Sequence, residues 1–178
     1  FAVGLPLGWW DGVGSFRAQY FDDPTVFYVT ARLVTAGFGA LLAPLFYFCA
    51  RRLGFGQVSS LVTGLFAVVY PLAVYQSHIA KGDVAMASFI VAAIAATLAR
   101  VDTQTPFRWD VLLGVAVVLA VSFKHSAVFI LAPLVFGHLA VLAYYEGLSA
   151  CGKAILRGLL SVAVLWPFLN IGTLLDFK

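Results

Sequence analysis

The sequence has 178 residues, of which 62% are hydrophobic and only 11% are charged, and its mean hydropathy is +0.99. A soluble domain carries about 25% charged residues, so this composition excludes a soluble globular protein. The net charge of +3 comes from residues scattered between apolar runs, without the dense basic cluster that is typical of nucleic-acid binding. Cys49 and Cys151 are isolated and lack metal-type spacing, so both are interpreted as small hydrophobic residues.

The first segment, residues 1–25, is rich in glycine and aromatic residues and contains Asp22 and Asp23. Its glycines and prolines disfavour a spanning helix, and Trp and Tyr favour the headgroup layer of a bilayer. We therefore expect an extracytoplasmic interfacial loop. Because the sequence begins at Phe1 and ends at Lys178 directly after an apolar run, we also expect a fragment of a longer protein.

The remaining residues, 26–178, predict a transmembrane helical unit. Most of their apolar runs approach the roughly 17–25 residues that cross a bilayer, and polar or glycine-rich turns separate them. The predicted spans cover residues 26–50, 58–75, 84–99, 111–123, 126–145 and 155–175. Since backbone in lipid must satisfy its own hydrogen bonds, we predict an all-α polytopic membrane protein with about six transmembrane helices and no soluble domain.

The fourth apolar run is short, because only 13 residues, 111–123, precede Lys124 and His125. As a helix it would measure about 20 Å, against a hydrocarbon core of about 30 Å. A single helix over 111–145 would instead reach about 50 Å, too long for one ordinary crossing. The chain is therefore predicted to break near Lys124, with two helices meeting there.

Six crossings put most of the basic residues on one side of the membrane. The positive-inside rule makes that side cytoplasmic. Its basic residues are Arg51, Arg52, Arg100, Arg108, Lys153 and Arg157. The opposite, extracytoplasmic side then holds the concentrated polar chemistry of the sequence.

Candidate functional residues occupy three positions along the chain on that extracytoplasmic side. Helix ends on one membrane face can converge, so these side chains could line one cavity. They would supply carboxylates for base or metal chemistry and cations for a phosphate. The candidates are Asp22, Asp23 and Arg32, then His78, Lys81 and Asp83, and finally Lys124 and His125.

Each candidate also has a purely structural interpretation. Arg32 lies about two turns inside the first span and could simply extend toward the headgroups. Asp22 and Asp23 precede a helix, where acidic residues favour the positive end of the dipole. Asp83 could cap the third span, and a Zn²⁺ or Mn²⁺ site from His78 and Asp83 alone has weak support in their spacing.

Two residues lie deeper in the apolar sequence. The depth of Lys124 makes an idle lysine costly, which favours a functional role. His138 stands inside the fifth apolar run without a sequence partner and is interpreted as a packed or helix-bonded histidine.

The order of the polar motifs resembles that of a known class. Over residues 20–135 it is similar to the membrane half of GT-C glycosyltransferases that use polyprenyl-phosphate-linked sugars. The likeness is strongest to the protein-mannosyltransferase and aminoarabinose-transferase group, glycosyltransferase family 39 and its bacterial relatives. The stretches that carry it are 23–36, 51–54, 70–72, 77–83 and 122–127.

The resemblance implies a multi-pass protein of the cell inner membrane that transfers a sugar from a polyprenyl-phosphate donor on the extracytoplasmic side. It implies catalytic roles for Asp83, Asp22 and Asp23, although the acidic pair of the family could instead lie upstream of Phe1. It implies substrate or phosphate binding for a basic set. That set is Lys124, His125, His78, Lys81 and Arg32.

The expected partners are the lipid bilayer and the lipid-linked donor, with other membrane subunits as a further option and no nucleic acid. No metal ligands are assigned, and a divalent metal stays open as a cofactor. Two alternatives to a transferase also stay open. One is a transporter whose path is lined by Lys124 and Asp83, and the other is a non-catalytic membrane subunit of a larger complex.

Overall fold

The computed structural model describes residues 13–79, 81–101 and 106–170, and within these ranges the regular structure is entirely helical. This confirms the all-α prediction. A 3₁₀ turn, His125–Ala127, precedes the seventh helix. The helices are α1 (Val13–Asp22), α2 (Thr25–Arg52), α3 (Gln57–Val69), α4 (Pro71–Ser77), α5 (Asp83–Val101), α6 (Pro106–Phe123), α7 (Val128–Glu146) and α8 (Leu148–Leu169).

Six potential membrane spans lie within the described residues, in agreement with the predicted number. By length and composition, α2, α5, α6, α8 and α7 with its 3₁₀ turn can each cross a bilayer. A sixth span requires α3 and α4 together, which meet at an angle of 51°. The predicted continuous span 58–75 is therefore broken. Pro71 lacks a backbone N–H, and Tyr70 before it adopts extended backbone, so the helix restarts at that point.

The predicted break at Lys124 is confirmed. Helix α6 ends at Phe123, Lys124 has extended backbone, and α7 begins at Val128. The predicted shortness of the preceding span is wrong, because α6 begins at Pro106 and has 18 residues, about 27 Å of helix. The charged residues that were placed in a loop lie on its first turns instead.

The last span also begins earlier than predicted, at Leu148 rather than at residue 155. Gly147 has a φ of +85°, which ends α7 and allows α8 to start at the next residue. The polar residues before 155 are already helical, so the start of the apolar run does not mark the start of the helix. Residues 171–175 of the predicted span lie outside the described residues.

The N-terminal segment contains a helix where a loop was predicted. Residues 13–22 form α1, which packs on the start of α2 through edge-to-face contacts of Phe16 and Tyr20 with Phe27, at 5.1 and 5.3 Å between ring centroids. These aromatic contacts give the ten-residue helix a surface to pack against, which isolated short helices lack. Residues 1–12 of the predicted loop lie outside the described residues, and its interfacial position stays a prediction.

The centre of the bundle is the antiparallel pair α5 and α6, with α2 packed on α5, α8 packed on α6 and α7 packed on α8 and α5. Its buried contacts come mainly from small side chains, which let neighbouring helices approach closely in a membrane. On α6, a Cβ atom added to Gly114 would lie 2.9 Å from the Cα atom of Gly158 on α8. The buried cluster is Ile90, Ala93, Ala96, Leu113, Ala116, Ala120, Ala127 and Leu131. The two ends of this α5–α6 pair carry the charged residues considered next.

Candidate functional site

At one end of the α5–α6 pair, two predicted site residues meet. Asp83 is the first residue of α5, and Lys124 directly follows α6. The Nζ atom of Lys124 donates to Oδ1 of Asp83 in an ion pair. Their side chains are 51% and 30% exposed, respectively, so both remain accessible to a ligand. The structure therefore joins two of the three chain positions that the sequence singled out.

Aromatic packing positions this ion pair. The ring of Phe123 lies 5.5 Å from that of Phe38 and 5.8 Å from that of Phe89, which ties the end of α6 to α2 and α5. Gly82 lies against the backbone of Phe123, since an added Cβ would be 3.2 Å from the Phe123 carbonyl oxygen. A residue without a side chain before Asp83 thus allows the start of α5 to sit beside the end of α6.

A groove between α2, the α3–α4 bend and α5 leads to Asp83. The part of the groove nearest Asp83 is a cavity of about 290 Å³, with Asp83 and Gln76 in its lining. An adjoining cavity of about 550 Å³ shares the lining residues Leu42 and Tyr70 with it and is almost wholly apolar. The Oε1 atom of Gln76 is buried and has no hydrogen-bond partner in the described part of the chain. We call this apolar channel with a polar end the α2–α5 groove.

Three other candidates do not join this ion pair. The Nδ1–H of His78 donates to the carbonyl oxygen of Val74 over 2.7 Å, so that ring is held against its own helix. His125 is exposed in the 3₁₀ turn next to Lys124, and Lys81 is exposed two residues before Asp83. Within the described ranges, none of these three side chains forms an ion pair.

The first candidate position lies apart from the pair. The Oδ1 atom of Asp23 accepts a 3.0 Å hydrogen bond from the backbone N–H of Thr25, the first residue of α2. Hydrogen bonds from the Thr25 side chain and backbone hold the pKa of Asp23 below its ordinary value. Asp22 and Arg32 are exposed, and within residues 13–79 neither is ion-paired. The geometry of Asp23 therefore favours its interpretation as a helix-start residue.

The described residues contain no group of three or more His, Cys, Asp or Glu side chains that could hold a metal ion. His78 is bonded to Val74 and Asp83 to Lys124, so these two do not share a ligand position. Metal dependence stays an open prediction.

At the opposite end of the α5–α6 pair lies a charged network that the sequence did not predict. Asp110, 1% exposed at its side chain, accepts from Nε of Arg100 at 3.0 Å and from Nη1 of Arg157 at 2.6 Å. Arg100 also donates from Nη1 and Nη2 to the two carboxylate oxygens of Glu146, at 2.7 and 2.8 Å. These four residues, the Asp110 network, connect α5, α6, α7 and α8.

The sequence contained a partial signal for this network. Asp110 and Glu146 fall on the predicted cytoplasmic side together with Arg100 and Arg157, so ion pairs between these acidic and basic residues could have been expected. The signal was missed because Asp110 lies one residue before the predicted span 111–123 and was not considered as a partner for the arginines. Asp110 lies inside α6 instead and is buried, and there its carboxylate is paired with Arg100 and Arg157.

The bundle defines a class: a multi-pass helical membrane protein with an accessible Asp–Lys ion pair at one end and an apolar groove beside it. The family model for dolichyl-phosphate-mannose-protein mannosyltransferase matches residues 1–167. The chain belongs to this family of glycosyltransferases, which confirms the resemblance carried by the sequence motifs. No curated protein and no solved structure matches the chain.

Proposed function

We propose that this chain is the membrane segment of a glycosyltransferase that takes a sugar from a polyprenyl-phosphate donor on the extracytoplasmic side of the inner membrane. The reacting centre is the ion pair of Asp83 and Lys124. The observation that carries this proposal is the meeting of these two residues at the polar end of the α2–α5 groove. Family membership supports a transferase over the transporter alternative.

Lys124 is assigned to the phosphate of the donor. When the bond between the sugar C1 and the phosphate oxygen breaks, the phosphate keeps the electron pair and gains negative charge. A fixed cation beside that oxygen stabilises the transition state, most strongly where water is excluded. Lys124 is held by the end of α6 and is half exposed, so its ammonium can exchange the Asp83 carboxylate for the phosphate.

Asp83 is assigned to the acceptor. Once Lys124 turns to the phosphate, the carboxylate is free to take the proton of the acceptor hydroxyl while that oxygen forms its bond to C1. One glycosidic bond forms, one sugar–phosphate bond breaks, and the proton ends on Asp83. The same ion pair thus supplies the base and the cation that sugar transfer requires.

The α2–α5 groove is assigned to the prenyl chain. Its apolar lining suits a hydrocarbon, and its outer end carries the unpaired Oε1 atom of Gln76 beside Asp83. A buried acceptor oxygen without a donor is unfavourable, so a sugar hydroxyl that donates to Gln76 would be held there. The groove would therefore orient C1 of the sugar toward the ion pair.

The test measures release of free polyprenyl phosphate from labelled polyprenyl-phosphate mannose in membranes that carry the full-length protein. Lys124→Met is expected to lower the single-turnover rate by about 10²- to 10³-fold, the usual effect of removing one preorganised charge partner. Asp83→Asn is expected to lower it by about 10²- to 10⁴-fold, as for a general base.

Lys153→Met provides the matched control, because Lys153 is exposed on α8 and belongs to the opposite membrane side. Its rate should stay within about twofold of the unsubstituted protein. Wild-type rates for both Lys124→Met and Asp83→Asn, at equal protein amounts in the membrane, would overturn the assignment.

A further inference from the structure

His138 occupies an unusual position on α7. It is only 3% exposed, and neither of its ring nitrogens has a hydrogen-bond partner within the described part of the chain. It stands ten residues after Val128 and eight before Glu146, so it lies about 12–15 Å from either end of the helix. Bulk water is absent at that depth, and a buried imidazole without partners is unfavourable there.

A cavity of about 190 Å³ between α6, α7 and α8 adjoins this histidine. His138 and Asp110 contribute polar groups to its lining, while the remaining lining residues are apolar or glycine. A second apolar pocket shares Val117 and Val135 with it and continues along α6 and α7 to Val128. The two pockets thus adjoin along α6 and α7, and we call them together the α6–α7 channel.

The charges around the cavity are already paired with one another. Each carboxylate oxygen of Asp110 accepts from an arginine, and the Nη atoms of Arg100 bind Glu146. Two arginines and two carboxylates balance in charge, so an ionic headgroup would meet no uncompensated partner. His138 is the polar side chain in this lining that is left without a bond, which favours a neutral ligand group.

We propose that the α6–α7 channel binds a membrane lipid alcohol, with its hydrocarbon chain along the channel and its hydroxyl on His138. A hydroxyl both donates and accepts, so it can bond either tautomer of a neutral imidazole. The hydrocarbon part of the ligand matches the apolar channel, and its hydroxyl matches the unpaired imidazole of His138. This site is separate from the proposed reacting centre at Asp83 and Lys124 and does not depend on it.

The test uses photolabelling of the full chain in lipid nanodiscs with a diazirine-bearing hexadecanol. A diazirine-bearing hexadecane of the same length serves as the matched probe without a hydroxyl. One hydrogen bond predicts that the alcohol labels the peptides of α6 and α7 about two- to tenfold more strongly than the alkane. Unlabelled hexadecanol should compete for this labelling, and unlabelled hexadecane should compete about two- to tenfold more weakly.

The variant His138→Leu should bring labelling by the alcohol down to the level of the alkane. Tyr145→Leu, at an exposed position on the same helix, should leave the difference between the probes unchanged. If His138→Leu does not fold, the competition on the unsubstituted protein still decides the question. Equal labelling by both probes, or no competition by the alcohol, means that water alone meets His138 and overturns the proposal.

Discussion

The substitution Asp110→Ala tests whether the Asp110 network is one coupled unit. In the intact network two arginines face two carboxylates, and Asp110 touches both arginines. Its removal leaves Arg100 and Arg157 with Glu146 alone, a net charge of +1. The side chain of Arg100 is 5% exposed, so it is largely shielded from water. We therefore expect the cost of an incompletely paired buried charge.

The structure ranks the sizes of the effects. Breaking a buried pair by removing one partner costs about 3–5 kcal/mol, which we expect for Asp110→Ala. Arg157→Ala should cost less, about 1.5–3 kcal/mol, because Asp110 keeps its bond to Arg100. The double substitution leaves the neutral pair of Arg100 and Glu146. It should cost less than the sum of the two single changes, with a coupling of about 0.5–3 kcal/mol.

The free energy of unfolding can be measured by titrating the protein in mixed micelles with dodecyl sulfate and following helicity by circular dichroism. Arg108→Ala is the matched control, since Arg108 lies two residues before Asp110 on α6 and is exposed. Its effect should stay within about 0.5 kcal/mol. The reasoning fails if Asp110→Ala costs no more than Arg108→Ala, or if the single changes at Asp110 and Arg157 simply add.

Two further predictions concern helix packing and pH. Gly114→Leu should destabilise the bundle by about 1–3 kcal/mol in the same titration, because its Cβ would meet the backbone of Gly158. At Gly137, an added Cβ would have no neighbour within 4 Å in the described structure, so Gly137→Leu should have a smaller effect. The lowered pKa of Asp23 means that its contribution to stability is present above the unfolded pKa of about 3.9 and is lost as pH falls through the folded pKa. As the pH is lowered, the free energy of unfolding should therefore fall less for Asp23→Asn than for the unsubstituted protein. Equal decreases in the two proteins would contradict a stabilising role of the Asp23 carboxylate at the start of α2.

Much of the fold could be predicted because bilayer thickness restricts helix length. The break at Lys124 followed from the length of the apolar sequence around it, and the structure has it. The supporting premise was wrong, since α6 includes residues 106–110. Hydropathy detects contact with lipid, whereas a helix continues wherever its polar side chains find partners. The apolar run and the helix therefore have different ends where a charged residue such as Asp110 is paired inside the protein.

The candidate site was predictable only in part, for a geometric reason. Charge asymmetry assigns each helix end to a membrane side, and this placed Asp83 and Lys124 on the same side. It does not specify the direction in which a side chain points around its helix. The sequence therefore could not separate Asp83, which meets Lys124, from Asp23, which bonds to Thr25. The catalytic role of either carboxylate remains a prediction.

The two charged clusters also explain how the register between α5 and α6 is fixed. Small residues such as Ala93 and Ala116 pack closely but discriminate poorly between neighbouring registers, because alanine fits against alanine at several offsets. Ion pairs at both ends remove this ambiguity. A slip of one helical turn, about 5.4 Å, would separate Asp83 from Lys124 and Arg100 from Asp110 at once. The buried pair at the far end therefore favours the register in which Asp83 and Lys124 meet.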